Sequence, residues 1–147
     1  MPGTKTLTII KPEAVEKEFI GPILAKINDN GFRISAMKLI RFTANMAEDF
    51  YSVHSGKPFF EGLIKHMTSG PVVVAILEKE NAVKEFRKLT GDTGPTKAEE
   101  GTLGMLFAES TKKNAVHGSD SIENAIRECN FFFSLSERHS SFEARMQ

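Results

Sequence analysis

The six residues Val72 to Leu77, Val-Val-Val-Ala-Ile-Leu, are the longest uninterrupted apolar run in the chain, bounded by Pro71 and Glu78. Alternate side chains of a β-strand point to opposite sides, so a strand that is apolar at every position needs cover above and below and belongs at the centre of a sheet. The run is far too short to cross a bilayer, which takes about 20 residues. A strand of this kind obliges the rest of the chain to supply neighbouring strands and covering helices.

The flanking sequence supplies them. Thr6 to Ile10 is rich in β-branched residues and is stopped by Pro12, which predicts a first strand. Between Glu13 and Asn30, Ile20, Ile23, Leu24 and Ile27 recur at helical spacing, Pro22 suits a first turn and Gly31 a stop, which predicts one helix. Phe32 to Phe42 alternates, with Phe32, Ile34 and Ala36 on the apolar side and Arg33 and Ser35 on the polar side, and reads as a second strand. Residues 44–54 and 59–68 read as short helices split by Ser55-Gly56-Lys57-Pro58. Asn81 to Leu89 reads as a helix with Ala82, Val83, Phe86 and Leu89 on one side.

Thr90 to Lys113 holds Gly91, Gly94, Pro95, Gly101 and Gly104 and reads as a long loop with one short helix, the kind of segment that tends to carry function. Ser121 to Cys129 is expected as a last helix and Phe131-Phe132-Phe133 as a last short strand, while Ser140 to Gln147 is expected to be disordered. The order β-α-β-α-α-β-α-α-β contains the split βαβ pattern of a ferredoxin-like α/β sandwich. We expect a mostly antiparallel four-stranded sheet with helices on one face, in a single domain over residues 1–147.

Composition excludes several functions. Nineteen basic and nineteen acidic residues cancel, which leaves no broad cationic face for nucleic acid or an anionic membrane, so an anion site must be local. The single Cys129 has no intrachain partner and lies in an apolar stretch, which fits a structural thiol in a reducing compartment. The opening residues lack a basic segment followed by a long apolar one. No secretory signal is therefore expected, and a cytoplasmic location is.

Residues 114–121, Asn-Ala-Val-His-Gly-Ser-Asp-Ser, set His117 among small and polar neighbours. Gly118 and Ser119 leave an imidazole nitrogen approachable, and Asp120 with Glu123 three residues on resembles a helix-start signature. Taken alone, such a histidine is more often a hydrogen-bonding loop residue than a nucleophile. Three further segments change that balance: Thr-Ile-Ile-Lys-Pro-Glu-Ala-Val at 8–15, Tyr51 with Pro58-Phe59-Phe60, and Gly-Asp-Thr-Gly-Pro at 91–95.

In this order and spacing the four segments resemble the nucleoside diphosphate kinases, across essentially residues 4–133. The resemblance implies ping-pong transfer of the γ-phosphate of a nucleoside triphosphate such as ATP, first to histidine and then to a nucleoside diphosphate, with Mg2+ accompanying the triphosphate. It implies His117 as nucleophile through Nδ1, Glu128 as the carboxylate that fixes the tautomer with help from Ser119, and Lys11 on the γ-phosphate. Tyr51 would orient Lys11 or the phosphate, Arg87 would contact phosphate, Thr93 would serve the β-phosphate, Asn114 the ribose 3′ hydroxyl, and Phe59 would stack on the base. From sequence alone, Glu128 reads rather as a solvated helix residue, and a place in the core beside Phe60, Leu63 and Ile64 competes with stacking for Phe59. His54, His66 and His139 receive no role. A homo-oligomer, tetramer or hexamer, is implied, with the Pro95 loop as a contributor; no resident metal site, membrane or nucleic-acid partner is.

One position departs from the family. An arginine normally follows Gly-Thr-(Leu/Ile) and reaches the phosphates, whereas here Gly101-Thr102-Leu103 is followed by Gly104. Losing one charge-assisted contact costs roughly 1.5–3 kcal/mol, about ten- to a hundredfold in rate. The chain is therefore expected to be a slowed kinase. The alternatives are an impaired member that binds nucleotides or proteins, and an RNA-binding ferredoxin-like module, for which the sheet aromatics are missing.

Overall fold

A computed structural model describes residues 3–91, 102–107 and 115–141. Four strands, β1 (Lys5–Ile10), β2 (Arg33–Ile40), β3 (Val72–Glu78) and β4 (Val116–Gly118), form one sheet in the order β2-β3-β1-β4. Every neighbouring pair is antiparallel. The all-apolar run is β3, internal and buried along its whole length, as its composition requires.

The helices are α1 (Pro12–Glu16), α2 (Ile20–Asp29), α3 (Ala44–Phe50), α4 (Phe60–Met67), α5 (Ala82–Thr90), α6 (Leu103–Phe107) and α7 (Ile122–Phe132). They cover both faces of the sheet, where the sequence reading put them on one. Leu7, Ile9, Val72, Val74 and Ile76 pack with residues of α3, α4 and α7, while Ile10, Val73, Ala75 and Leu77 pack with α1, α2, α5 and α6. The alternation within β3 demanded this outcome, since each face of an all-apolar strand needs its own cover.

Four other expectations are corrected. The single helix over 13–30 is two, because Glu18 turns into a left-handed conformation (φ +66°) between α1 and α2. In β2 the register shifts between Ile34 and Ala36, so Ser35 is buried rather than polar-facing, and beyond the shift Met37 and Leu39 are exposed. A β-bulge of this kind flips the facing of the strand after it: Ile34 packs on one layer and Ala36 on the other. Phe131 and Phe132 belong to α7 rather than to a strand. The fourth strand is instead the histidine segment itself.

Ser140 and Ser141, expected in a disordered end, are bonded: the Ser140 hydroxyl and the Ser141 N–H both donate to the buried Glu78 carboxylate, which also meets Arg33 Nη1 at 3.3 Å. His139 N–H donates to the Ser35 carbonyl at 2.7 Å, and Lys38 Nζ lies 3.0 Å from Glu137 Oε2. Residues 137–141 are thus laid along the edge strand β2. Residues 142–147 lie outside the described residues.

Candidate active site

β4 is short, and its strand geometry comes from β1. Ile9 pairs with His117, Thr8 Oγ1 donates to the His117 carbonyl at 2.8 Å, and the Lys11 N–H donates to the Ala115 carbonyl at 2.8 Å. Ala115 enters the strand at φ +68°, a left-handed conformation that costs a non-glycine residue roughly 1–2 kcal/mol and is overdetermined by these bonds. Alternation then sends Val116 and Gly118 to the α5 side and His117 to the α7 side, where the edge of Phe50 meets its ring at 6.0 Å between centroids.

On that side α7 presents Glu128. Ala125, Glu128, Cys129 and Phe132 share the buried face of the helix, so the carboxylate is only 5% exposed and needs partners. It has two. His117 Nε2 lies 2.9 Å from Glu128 Oε1, and Ser119 Oγ donates to the same oxygen at 2.8 Å. The Ser119 hydroxyl in turn accepts the Leu7 N–H at 3.1 Å, which fixes its direction. An ionised carboxylate only accepts, so Nε2 must carry the ring hydrogen, and the neutral imidazole keeps its lone pair on Nδ1. The His117 side chain remains 22% exposed. The arrangement is a partly exposed imidazole with one nitrogen anchored to a buried carboxylate that can stabilise positive charge on the ring.

Tyr51 is buried between Phe42 and Phe50, and its phenol is pushed above the ordinary value first by burial and then by the Glu128 carboxylate. The Glu128 carboxylate thus acts on it electrostatically. Lys11 occupies the cap of α1 just past β1, with extended backbone and a partly buried side chain. Burial holds its ammonium below the usual lysine range, and Glu13 opposes that effect.

Arg87 is in the last turn of α5. Its charge helps to keep Asp120 below the usual carboxylate range, after the larger contribution of the Asn124 side chain and together with Ser121 and His117. Arg87 and His117 therefore act electrostatically on one common carboxylate. Asp120 does not cap α7; Ser121 does, accepting the Asn124 N–H at 3.0 Å. Gly118 does not open the histidine either, since it faces Phe86 on the other side of the sheet.

Phe59 caps α4 and is 52% exposed, whereas Phe60, Leu63 and Ile64 pack on the core. Its own neighbours are the His54 ring at 5.2 Å and Lys57 Nζ at 5.9 Å from the ring centroid. An exposed ring fits a stacking role better than a core role. Thr93, Asn114 and Pro95 lie outside the described residues, and Gly104 falls within α6.

Sequence reasoning missed Thr8, Phe50 and the Leu7 N–H, all of which hold the histidine segment. Thr8 and Leu7 carry no signal apart from their place in a strand, and Phe50 looks like any core aromatic. Among the described residues no helix is long and apolar enough to cross a membrane.

The family model described as nucleoside diphosphate kinase matches residues 4–138. A nucleoside diphosphate kinase of Prosthecochloris aestuarii is 53% identical over 133 residues, which cover 90% of this chain and 94% of that protein. One from Campylobacter curvus is also 53% identical, with 90% and 97% covered. The crystal structure of the Aquifex aeolicus nucleoside diphosphate kinase superposes with a TM-score of 0.89 at 43% identity, covering 92% of this chain and 98% of that one.

Proposed function

Because the chain belongs to the nucleoside diphosphate kinase family, we propose that it moves the γ-phosphate of a nucleoside triphosphate to a nucleoside diphosphate through a phosphohistidine at His117. The observation that supports this most directly is the bond between His117 Nε2 and Glu128 Oε1, which leaves Nδ1 with the lone pair. In the first half-reaction Nδ1 attacks the γ-phosphorus, the bond to the bridging oxygen breaks, and the nucleoside diphosphate leaves. In the second, a terminal oxygen of another diphosphate attacks the same phosphorus and the imidazole departs. The positive charge that phosphorylation places on the ring is offset by Glu128, held in turn by Ser119 and flanked by Tyr51.

Such transfer depends mainly on position and charge neutralisation. We assign Lys11 to the γ-phosphate, Arg87 to a phosphate oxygen, Thr93 to the β-phosphate and Asn114 to the ribose. Phe59 stacks on the base, and since every base has a π-face this gives broad tolerance among nucleotides. Magnesium neutralises triphosphate charge when bound. We further propose a cytoplasmic homo-oligomer, and a turnover reduced by Gly104.

Incubation with γ-labelled ATP tests the proposal. An acid-labile, alkali-stable phosphoprotein is expected, discharged by added nucleoside diphosphate and absent in His117→Ala. A wild-type protein that takes no label would overturn it, and would favour the reading in which Gly104 marks a nucleotide-binding member without activity.

A further inference from the structure

His66, one of three histidines without an assigned role, meets Glu13 across two helices: its Nε2 lies 2.5 Å from Glu13 Oε2. Glu13 is the second residue of α1, and His66 lies in the last turn of α4. The carboxylate side chain is 9% exposed, and its other oxygen, Oε1, is buried with no hydrogen-bond partner. A buried carboxylate is costly unless opposed, so this one is held in place by whatever opposes it. Among the described residues it is opposed by the His66 ring and by the charge of Lys11 two residues before it. The same junction is closed by a second contact. The turn after α4 brings Gly70 against Pro12, where a Cβ on the glycine would stand 3.7 Å from the Pro12 Cβ.

The two helices joined here are those whose caps receive the substrate in the proposed function. Lys11 caps α1 and Phe59 caps α4. His66 follows Phe59 by seven residues, about 10 Å along a helix, so fixing the far end of α4 fixes the direction in which Phe59 is presented. We propose that His66 and Glu13 are positioning residues that brace α4 against α1 and so set the spacing between the base-stacking ring and the phosphate-binding ammonium. Neither touches the reacting atoms. The inference rests on the roles proposed for Lys11 and Phe59.

A brace of this kind acts on nucleotide affinity and leaves the chemistry at His117 alone. The test is steady-state kinetics of His66→Leu, His66→Gln, Glu13→Gln and the His66→Leu/Glu13→Gln double variant, with labelling of His117 by γ-labelled ATP as a parallel readout. His66→Leu is expected to raise KM for the nucleoside diphosphate about three- to tenfold while kcat stays within about twofold. His66→Gln, whose amide can still donate to the carboxylate, restores KM, and the double variant is no worse than Glu13→Gln alone. Equal loss in kcat and kcat/KM, failure of glutamine to rescue, additive single effects, or an unchanged KM would overturn the brace while normal labelling left the kinase reading standing. A wild-type protein that takes no label would overturn both.

Discussion

Phe86 of α5 fills the space beside Gly118: a Cβ there would stand 2.8 Å from Phe86 Cδ2 and 3.2 Å from Cε2. The glycine thus lets α5 press against the back of β4 while His117, one residue earlier, projects from the front. Gly118→Ala should destabilise the protein by about 1–3 kcal/mol, the usual cost of overpacking, and Phe86→Leu should recover part of it. Denaturant midpoints measure this; an unchanged midpoint in Gly118→Ala would show that the contact can relax.

Glu128 and Ser119 should matter for rate more than for folding. Glu128→Gln removes the anion that fixes the Nε2 hydrogen and steadies the phosphorylated ring, and should slow formation of the phosphoprotein by about ten- to a hundredfold. Ser119→Ala, which leaves the carboxylate in place, should cost less. Single-turnover labelling separates them, and an unaffected rate in Glu128→Gln would contradict the orienting role.

Much of this was legible in the chain. The β3 run declares an internal strand because nothing else buries six successive apolar side chains so simply, and the Ala82, Val83, Phe86, Leu89 spacing declares α5. What was not legible depends on partners distant in sequence. β4 has three residues with a histidine and a glycine among them, and becomes a strand only because β1, Thr8 and Lys11 bond to it. Phe131 and Phe132 have strand propensity but continue a helix because Cys129 and Phe132 bury on one face of it. The bulge at Ser35 carries no glycine or proline to announce it, whereas Gly21-Pro22 in the first turn of α2 did mark a helix start inside residues 13–30. In the site, Glu128 could have been separated from a solvated glutamate by its helical spacing with Ala125, Cys129 and Phe132, which places it inward. Nothing in the sequence joined Glu13 to His66.

Gly104 is the position at which the resemblance of Gly101-Thr102-Leu103 to the family motif leads us to expect an arginine. Gly104→Arg should raise turnover about ten- to a hundredfold if the side chain reaches the phosphates in the transition state. Steady-state kcat decides it, and no gain would mean that the position carries no phosphate contact in this protein.

Glu137 is held at about 2, first by the Ser134 N–H and then by the Lys38 and Ser134 side chains. Because the folded value lies below the ordinary 4.5, this carboxylate favours the docking of residues 137–141 above about pH 4.5 and stops doing so as pH falls through about 2. An NMR titration of Glu137 should show the depressed value, and Lys38→Met should move it upward. An ordinary value in the wild-type protein would mean that the Ser134 and Lys38 contacts do not persist in solution.

In the function proposed above, the Glu128 anchor on Nε2 directs the chemistry to Nδ1 of His117. Phosphorus–nitrogen correlation NMR of the ATP-labelled protein, isotopically enriched in histidine, identifies the nitrogen that holds the phosphoryl group. The expected product is 1-phosphohistidine, with phosphorus on Nδ1. Phosphorus on Nε2, or on any residue other than His117, would contradict it.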